Sequence, residues 1–149
     1  YDQDLLHRAT IFAYMLGTTD YSVAKGPPGD DCCHNIIPLQ IGDGPVIPVP
    51  YDFDATGIVN PPYVVPSERF RLRSIRQRLY RGYCQDTEGF KKSFEIFHQH
   101  RDAIFSLYNN QEGLKSKTLK NTRSYLEQFY ESISNEDKIN KVFVKKCRS

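Results

Sequence analysis

Apolar residues recur at helical spacing through the second half of this chain. Amphipathic segments follow Thr87, Ser116 and Asn135, and the first is predicted as one long helix. Thr87 and Asn135 are taken as the caps of their helices. An apolar segment from Leu5 to Leu16 has the same helical character, and Ser67 precedes a stretch that fits either a short strand or a helix. The pattern therefore predicts a helical bundle after residue 67.

A β-hairpin is predicted between residues 35 and 51. Two short apolar runs, 35–41 and 45–51, flank Gly42-Asp43-Gly44, and Asp-Gly between such runs is a strong hairpin signal. The runs contain Pro38, Pro48 and Pro50. Because proline cannot donate a ladder hydrogen bond, we expect a short hairpin at the edge of the domain.

The pairing of this hairpin predicts a metal site. If Asp43 and Gly44 are the two loop residues, Asn35 lies directly opposite Asp52. Side chains at such positions are close enough to hold one ion, with roughly 4 to 6 Å between their oxygens.

Size and composition indicate one ordinary globular domain. The chain has 149 residues, a charged fraction of 26% and a net charge of +2, values that exclude neither a cytoplasmic nor a secreted protein. No apolar run approaches the roughly 18 to 20 residues of a membrane span. We expect an α+β domain over residues 1–149, in which 1–66 carries the hairpin and the metal motif and 67–149 forms the bundle.

Asp52 and Asp54, two residues apart after an apolar run, fit three chemistries. As a calcium loop the motif lacks its last ligand, because Tyr63 stands where a bidentate Glu is required. The hexapeptide from Asp52 to Gly57 also resembles the haloacid-dehalogenase-like phosphatases, with Asp52 as nucleophile and Asp54 as acid and base. That family requires a doubly wound sheet, whereas consecutive helices are predicted after Thr87. The third chemistry is the magnesium-holding aspartate of kinase-like phosphotransferases.

Residues before the hairpin favour this third interpretation. An Asn ahead of the hairpin and an Asp after it is the arrangement that holds Mg²⁺ on nucleotide phosphates in the kinase catalytic half. Such transfer also needs a carboxylate ahead of the Asn, which accepts the proton of the acceptor hydroxyl. Asp20 is available for this role directly after the first predicted helix.

Three short motifs occur in order: Gly-Thr-Thr-Asp20-Tyr-Ser, Cys-His-Asn35, and Pro-Tyr-Asp52-Phe-Asp54. Over roughly the first 65 residues this series resembles the catalytic half of atypical kinase-like proteins, the HipA-like and CotH-like kinases, and an uncharacterised bacterial branch of them above all. The resemblance implies Asp20 as the catalytic aspartate, Asn35 and Asp52 as ligands of Mg²⁺ and ATP, and Asp54 in support of the metal.

The series departs from the family pattern in two places. Tyr21 stands where the bacterial branch tends to have Trp, and the interval from Asp20 to Asn35 is longer than the five residues of kinases because of an insert over Ala24–Cys33. Asp30 lies five residues before Asn35 and is the alternative base.

A complete kinase also has an N-terminal lobe with a glycine loop and a phosphate-binding Lys. No such motif occurs in this sequence. We therefore expect a kinase-like C-lobe, a fragment whose partners are a nucleotide, a missing N-terminal lobe and an acceptor that the sequence does not define. A catalytically inactive interaction module is the second hypothesis.

Six arginines lie close together just after the metal motif: Arg69, Arg71, Arg73, Arg76, Arg78 and Arg81. Clustered arginine binds phosphate or nucleic acid, but we favour a solvated charged surface. A nucleic-acid-binding module is the non-enzyme alternative, and we do not expect it because no aromatic stacking signature accompanies the arginines. The four cysteines, Cys32, Cys33, Cys84 and Cys147, lack zinc-site spacing and are interpreted as core or loop thiols, with disulfides in one of three pairings as the alternative.

Overall fold

In a computed structural model, which describes residues 1–148, the chain is mixed α+β. It has five α-helices: α1 Gln3–Leu16, α2 Thr87–Gln99, α3 Arg101–Asn109, α4 Ser116–Ser132 and α5 Glu136–Ile139. The strands β1 Ile36–Leu39 and β2 Ile47–Pro50 form one antiparallel sheet. The α+β class is confirmed.

The chain divides into two compact units, a first unit Tyr1–Gly82 and a second unit that begins at Tyr83. The hairpin and all six arginines of the cluster belong to the first unit. Helices α2 to α5 belong to the second unit. The single domain over the whole chain stays a prediction.

Helix α1 confirms the predicted first helix, and local chemistry defines both of its ends. Asp2 Oδ1 accepts a hydrogen bond of 2.9 Å from the Leu5 N–H and caps the N terminus. Gly17 ends the helix with a φ of 75°, and its N–H donates to the Ala13 and Tyr14 carbonyls. Because Gly has no Cβ, this left-handed turn costs little there and redirects the chain toward Asp20.

The hairpin has one covered face and one exposed face. Strand β2 packs against α1, and Ile36 and Pro48 are buried. The opposite side of the sheet carries exposed apolar side chains, which are Ile37, Leu39, Val49 and Tyr51. An antiparallel sheet is ordinarily polar on its solvent side, so this exposed face is unusual.

The predicted hairpin register is wrong by one residue. Ile36 pairs with Pro50, and the Tyr51 N–H donates to the Asn35 carbonyl at 3.1 Å, so Asn35 does not lie opposite Asp52. The hydrogen bond from the Gly44 N–H to the Ile41 carbonyl centres the turn on Gly42 and Asp43, and Gly42 takes a φ of 57°. The left-handed position in the turn therefore belongs to Gly42, and Gly44 follows the turn.

In the second unit the predicted helices after Ser116 and Asn135 are confirmed, and the predicted long helix after Thr87 is wrong. Asn135 Oδ1 accepts a hydrogen bond from the Lys138 N–H, as an N-cap does. The predicted long helix is two helices that meet at His100, whose φ of −95° and ψ of 6° interrupt the ladder. Its cap is Asp86 rather than Thr87, since Asp86 Oδ1 accepts from the Gly89 N–H at 2.7 Å. The apolar spacing continues across the break, so periodicity alone could not show it.

Aromatic rings form the core of the second unit. Fully buried rings come from α2, α4 and the π-helical turn Asn140–Val144 that follows α5: Phe90, Phe94, Tyr125, Phe129 and Phe143. The Phe94 and Phe143 ring centroids are 4.8 Å apart. Rings of this size dominate the burial of apolar area in a small domain.

The interpretation of the cysteines as thiols is wrong. Cys84 and Cys147 are joined by a disulfide, with their Cα atoms 4.9 Å apart. The adjacent Cys32 and Cys33 also form a disulfide, next to His34. The first pair is far apart in sequence, so its proximity follows from the fold of the second unit and has no spacing signal.

The segment after Ser67 is neither the predicted strand nor the predicted helix. A single 3₁₀ turn, Glu68–Phe70, is followed by irregular chain as far as Gly82. Arg71 ends the turn with a φ of 52°. What replaces regular hydrogen bonding in this segment is a set of arginine contacts to main-chain carbonyls.

Candidate functional site

A small cavity in the first unit brings together three predicted site residues. Asp20, Asn35 and Asp52 all line it, although 32 residues separate the first from the last. The cavity measures about 10 Å³, which is room for about one water molecule. Its other walls come from the end of α1 and from the hairpin.

Main-chain hydrogen bonds join the segments that carry these residues. The Gly57 N–H donates to the Gly17 carbonyl at 3.1 Å, and the Ile58 N–H donates to the Leu16 carbonyl at 3.0 Å. The chain after Asp54 is therefore tied to the end of α1, immediately before Asp20.

The insert that lengthens the interval from Asp20 to Asn35 is closed at its base. Ser22 and His34 exchange two main-chain hydrogen bonds, each 2.9 Å long. This pairing brings Asn35 beside Asp20 in spite of the insert. Asp30 lies exposed within the loop and does not line the cavity, and its N–H donates to the Pro27 carbonyl.

Asn35 and Asp52 both take left-handed backbone conformations, with φ values of 52° and 59°. Positive φ is uncommon outside glycine, and residues of this kind cluster at functional sites. Each one immediately flanks the hairpin ladder and ends the alternation of side chains along its strand. Both residues therefore line the same cavity even though the predicted register is wrong.

Hydrogen bonds hold every polar group of Asp20. Its N–H donates to Thr18 Oγ1 at 3.1 Å, and its carbonyl accepts from Asn35 Nδ2 at 2.8 Å. In the carboxylate, Oδ1 lies 2.8 Å from His34 Nε2, and Oδ2 accepts from Asn35 Nδ2 at 3.4 Å. The side chain is still 58% exposed, so it is oriented and accessible at once.

Two of the residues that line the cavity carry side-chain oxygens that accept no hydrogen bond within the described chain. They are Asn35, whose Oδ1 has no donor while its amide nitrogen is engaged with Asp20, and Asp52, whose carboxylate has no donor. Asp54 is placed differently: its Oδ2 accepts from the Tyr63 hydroxyl at 3.2 Å, and it does not line the cavity.

This set of oxygens suits some cations and not others. Residues 1–148 contain no cluster of three or more His, Cys, Asp or Glu side chains that could enclose a metal. A calcium cage or a zinc site needs such a cluster. Mg²⁺ instead binds through one or two carboxylates and keeps waters or substrate phosphates as its remaining ligands. One amide oxygen and one carboxylate are compatible with that mode.

Part of the arginine cluster is bound to the main chain of the first unit, and the sequence did not show this. Arg76, Arg78 and Arg81 donate to main-chain carbonyls of the first unit, and we call residues 76–82 the arginine strap. Arg76 Nη1 donates to the Gly57 carbonyl at 3.3 Å, and Arg78 donates to two carbonyls in the last turn of α1, those of Tyr14 and Met15. Carbonyls at a helix C terminus lack helical partners and favour cations.

Arg81 contacts the loop that carries Asp20. Its Nη1 donates to the Tyr21 carbonyl at 2.8 Å and also to the Thr19 carbonyl. Its guanidinium lies over the Tyr21 ring at 5.0 Å and over the Phe70 ring at 4.5 Å. The favoured interpretation as a solvated charged surface is therefore wrong for these strap residues, because their guanidinium groups bind main-chain carbonyls. The sequence did not reveal these contacts, since every residue type has a main-chain carbonyl.

The strap also contains a buried phenol. Tyr80 is 2% exposed, and its hydroxyl lies 3.5 Å from Thr10 Oγ1. Burial raises the pKa of Tyr80 to about 12, although its hydrogen bond with Thr10 acts in the opposite direction.

None of the protein-family models, characterised proteins and solved structures compared with this chain matches it. Within the described residues, no helix is long and apolar enough to cross a membrane.

Proposed function

We propose that this chain is the C-lobe of an atypical kinase-like phosphotransferase, which transfers the γ-phosphoryl group of ATP to a hydroxyl or another acceptor with Mg²⁺. One observation carries the proposal: Asp20, Asn35 and Asp52, chosen from sequence motifs, line one cavity. The α+β architecture with a short hairpin beside helices is compatible with it.

In this proposal Asn35 Oδ1 and the Asp52 carboxylate hold the cation. Neither group has a protein donor in the described chain, so no hydrogen bond has to be broken for it to bind the cation. A bound Mg²⁺ would offset the negative charge of the nucleotide phosphates. Asp54, which the resemblance implied as a further ligand, contacts Tyr63 instead, so we assign it no direct role.

Asp20 is the proposed base. As the acceptor oxygen bonds to the γ-phosphorus and the bond from that phosphorus to ADP breaks, the hydroxyl proton passes to the Asp20 carboxylate. His34 and Asn35 fix the two carboxylate oxygens, and such support keeps a reactive group in one geometry. Because the cavity has room for only one water, the adenosine must lie outside it.

Single substitutions separate the two proposed roles. In a phosphotransfer assay on the full-length protein with Mg²⁺ and ATP, we expect Asp20→Asn to lower kcat by roughly 10² to 10⁴ and leave the KM for Mg-ATP nearly unchanged. Asp52→Asn should raise that KM. Asp30→Asn is the control and should retain wild-type kinetics. An inactive Asp30→Asn variant together with an active Asp20→Asn variant would transfer the role of base to the insert.

A catalytically inactive interaction module is the second candidate. The exposed apolar face of the hairpin favours it, because large exposed apolar side chains mark contact surfaces more often than catalytic ones. Under this hypothesis Val49→Asp changes the association state of the protein, whereas Asp20→Asn leaves the association state unchanged. The phosphatase alternative has less support: the described chain holds one sheet, and its two strands are antiparallel.

A further inference from the structure

Arg81 is the arginine of the strap whose contacts bracket the proposed base. The carbonyl before Asp20, from Thr19, and the carbonyl after it, from Tyr21, both accept hydrogen bonds from Arg81 Nη1. One nitrogen carrying two N–H groups therefore binds the carbonyls of the two residues that flank Asp20. These contacts restrict the orientation of the Asp20 backbone.

The guanidinium is itself held in place. The rings of Tyr21 and Phe70 both lie within 5.0 Å of it, and a guanidinium stacked on aromatic rings keeps its donors in a fixed plane. Lysine has no such plane, so Arg81→Lys preserves the charge and loses the geometry.

The direction of the Asp20 carboxylate depends on this backbone geometry. Asp20 Oδ1 must stay within hydrogen-bond distance of His34 Nε2, and the Asp20 carbonyl must stay within reach of Asn35 Nδ2. A rotation of the Asp20 backbone would therefore weaken both contacts. Arg78, in the same strap, binds carbonyls of α1 and does not bracket Asp20.

We propose that Arg81 is a positioning residue: it sets the orientation of the Asp20 carboxylate toward His34 and toward the cavity. The catalytic consequence of this role rests on the proposed function, whereas the structural consequence does not. A misplacement of about 1 Å in a reacting group can lower a rate by roughly 10². We therefore expect Arg81→Lys to lower kcat about 10- to 100-fold, with the KM for Mg-ATP nearly unchanged.

The test combines a spectroscopic signal from this chain with kinetics on the full-length protein. With ¹⁵N-labelled histidine, the chain gives four imidazoles to follow, and a His34→Gln variant assigns the His34 signals. In Arg81→Lys we expect the His34 ring signals to move and the other three to stay. Arg78→Lys, the matched control, should leave the His34 signals in place. If Arg81→Lys does not fold, Phe70→Leu loosens the same guanidinium and should move the His34 signals in the same direction.

The outcomes separate the two proposals. Unchanged His34 signals in the folded Arg81→Lys variant, or in Phe70→Leu where that variant replaces it, overturn the positioning role whatever the activity. A movement equally large in Arg78→Lys also overturns it, because the effect would then be a general loss of structure. If the His34 signals move in Arg81→Lys but the full-length wild type transfers no phosphate from Mg-ATP, the proposed function is overturned and the positioning of Asp20 by Arg81 is supported.

Discussion

The two units of this protein are stabilised by different kinds of contact. The second unit is built from helices around buried rings, and Phe90, Phe129 and Phe143 are completely inaccessible to solvent. The first unit has one long helix, a short hairpin and much irregular chain, in which arginines satisfy main-chain carbonyls. Functional side chains lie more often on irregular chain than on regular elements, and the candidate site lies in this first unit.

The largest expected difference between the units concerns their disulfides. Cys84 and Cys147 are 63 residues apart, and a loop of that length implies a stabilisation of about 4 kcal/mol. Cys84→Ser with Cys147→Ser should lower the free energy of unfolding by that amount in urea titrations. The double replacement of the adjacent Cys32 and Cys33 by Ser constrains no long loop and should cost far less. Equal losses for the two double variants would contradict this account.

The next effect is a pH dependence that belongs to the first unit. The pKa of Tyr80 is about 12 in the folded protein, against 10.0 for an ordinary tyrosine. The stability that the protonated Tyr80 contributes is therefore complete below pH 10 and is lost as the pH rises to about 12. This difference in pKa, from 10.0 to about 12, corresponds to about 3 kcal/mol in the free energy of unfolding. Unfolding titrations from pH 9 to 12 should show this loss in the wild type and a smaller loss in Tyr80→Phe. An identical pH profile for Tyr80→Phe would exclude Tyr80 as its source.

A smaller effect tests the packing of the strap. A Cβ at Gly82 would overlap the Tyr80 hydroxyl and lie 2.5 Å from Thr10 Oγ1, so we expect Gly82→Ala to cost about 2 kcal/mol. Gly113 in the second unit faces open space at a φ of +79°, and Gly113→Ala should cost about 1 kcal/mol from backbone strain alone. Thermal unfolding of the two variants measures the difference. A Gly82→Ala variant as stable as the wild type would mean that the strap is loosely packed.

The smallest effect concerns helix caps, one in each unit. Asp2→Ala removes the cap of α1 and Asp86→Ala removes the cap of α2, and each should cost about 1 kcal/mol. Amide hydrogen exchange should show weaker protection at the N terminus of the affected helix. Loss of protection in the other helix instead would contradict the local role of these caps.

Periodicity and capping predicted the regular parts of both units. Helix α1, the helix after Ser116 and the Asn135 cap are present as expected, since they depend on short-range sequence. The break at His100 was missed because the apolar face continues through it. The hairpin was found, but its register depends on which of Gly42 and Gly44 is left-handed, and the sequence did not distinguish them.

The candidate site was predicted in part, from the order of motifs along the chain rather than from periodicity or capping. Motif order led to Asp20, Asn35 and Asp52, which line one cavity. His34, to which the motifs assign no role, contacts the Asp20 carboxylate, and only its place beside Asn35 could have indicated this. The partners of Arg81 are main-chain carbonyls about 60 residues away, and every residue type has such a carbonyl, so sequence alone gives no signal for that contact.

Mg-ATP binding to the full-length protein tests the central claim most directly. At a Mg-ATP concentration 100-fold above its dissociation constant, the wild type should gain about 2.7 kcal/mol of stability, measured as a rise in melting temperature. Asp52→Asn should remove that rise, and Asp54→Asn, altered outside the cavity, should keep it. A wild type that Mg-ATP does not stabilise, or an Asp52→Asn variant that it stabilises equally, would contradict a nucleotide site at this cavity.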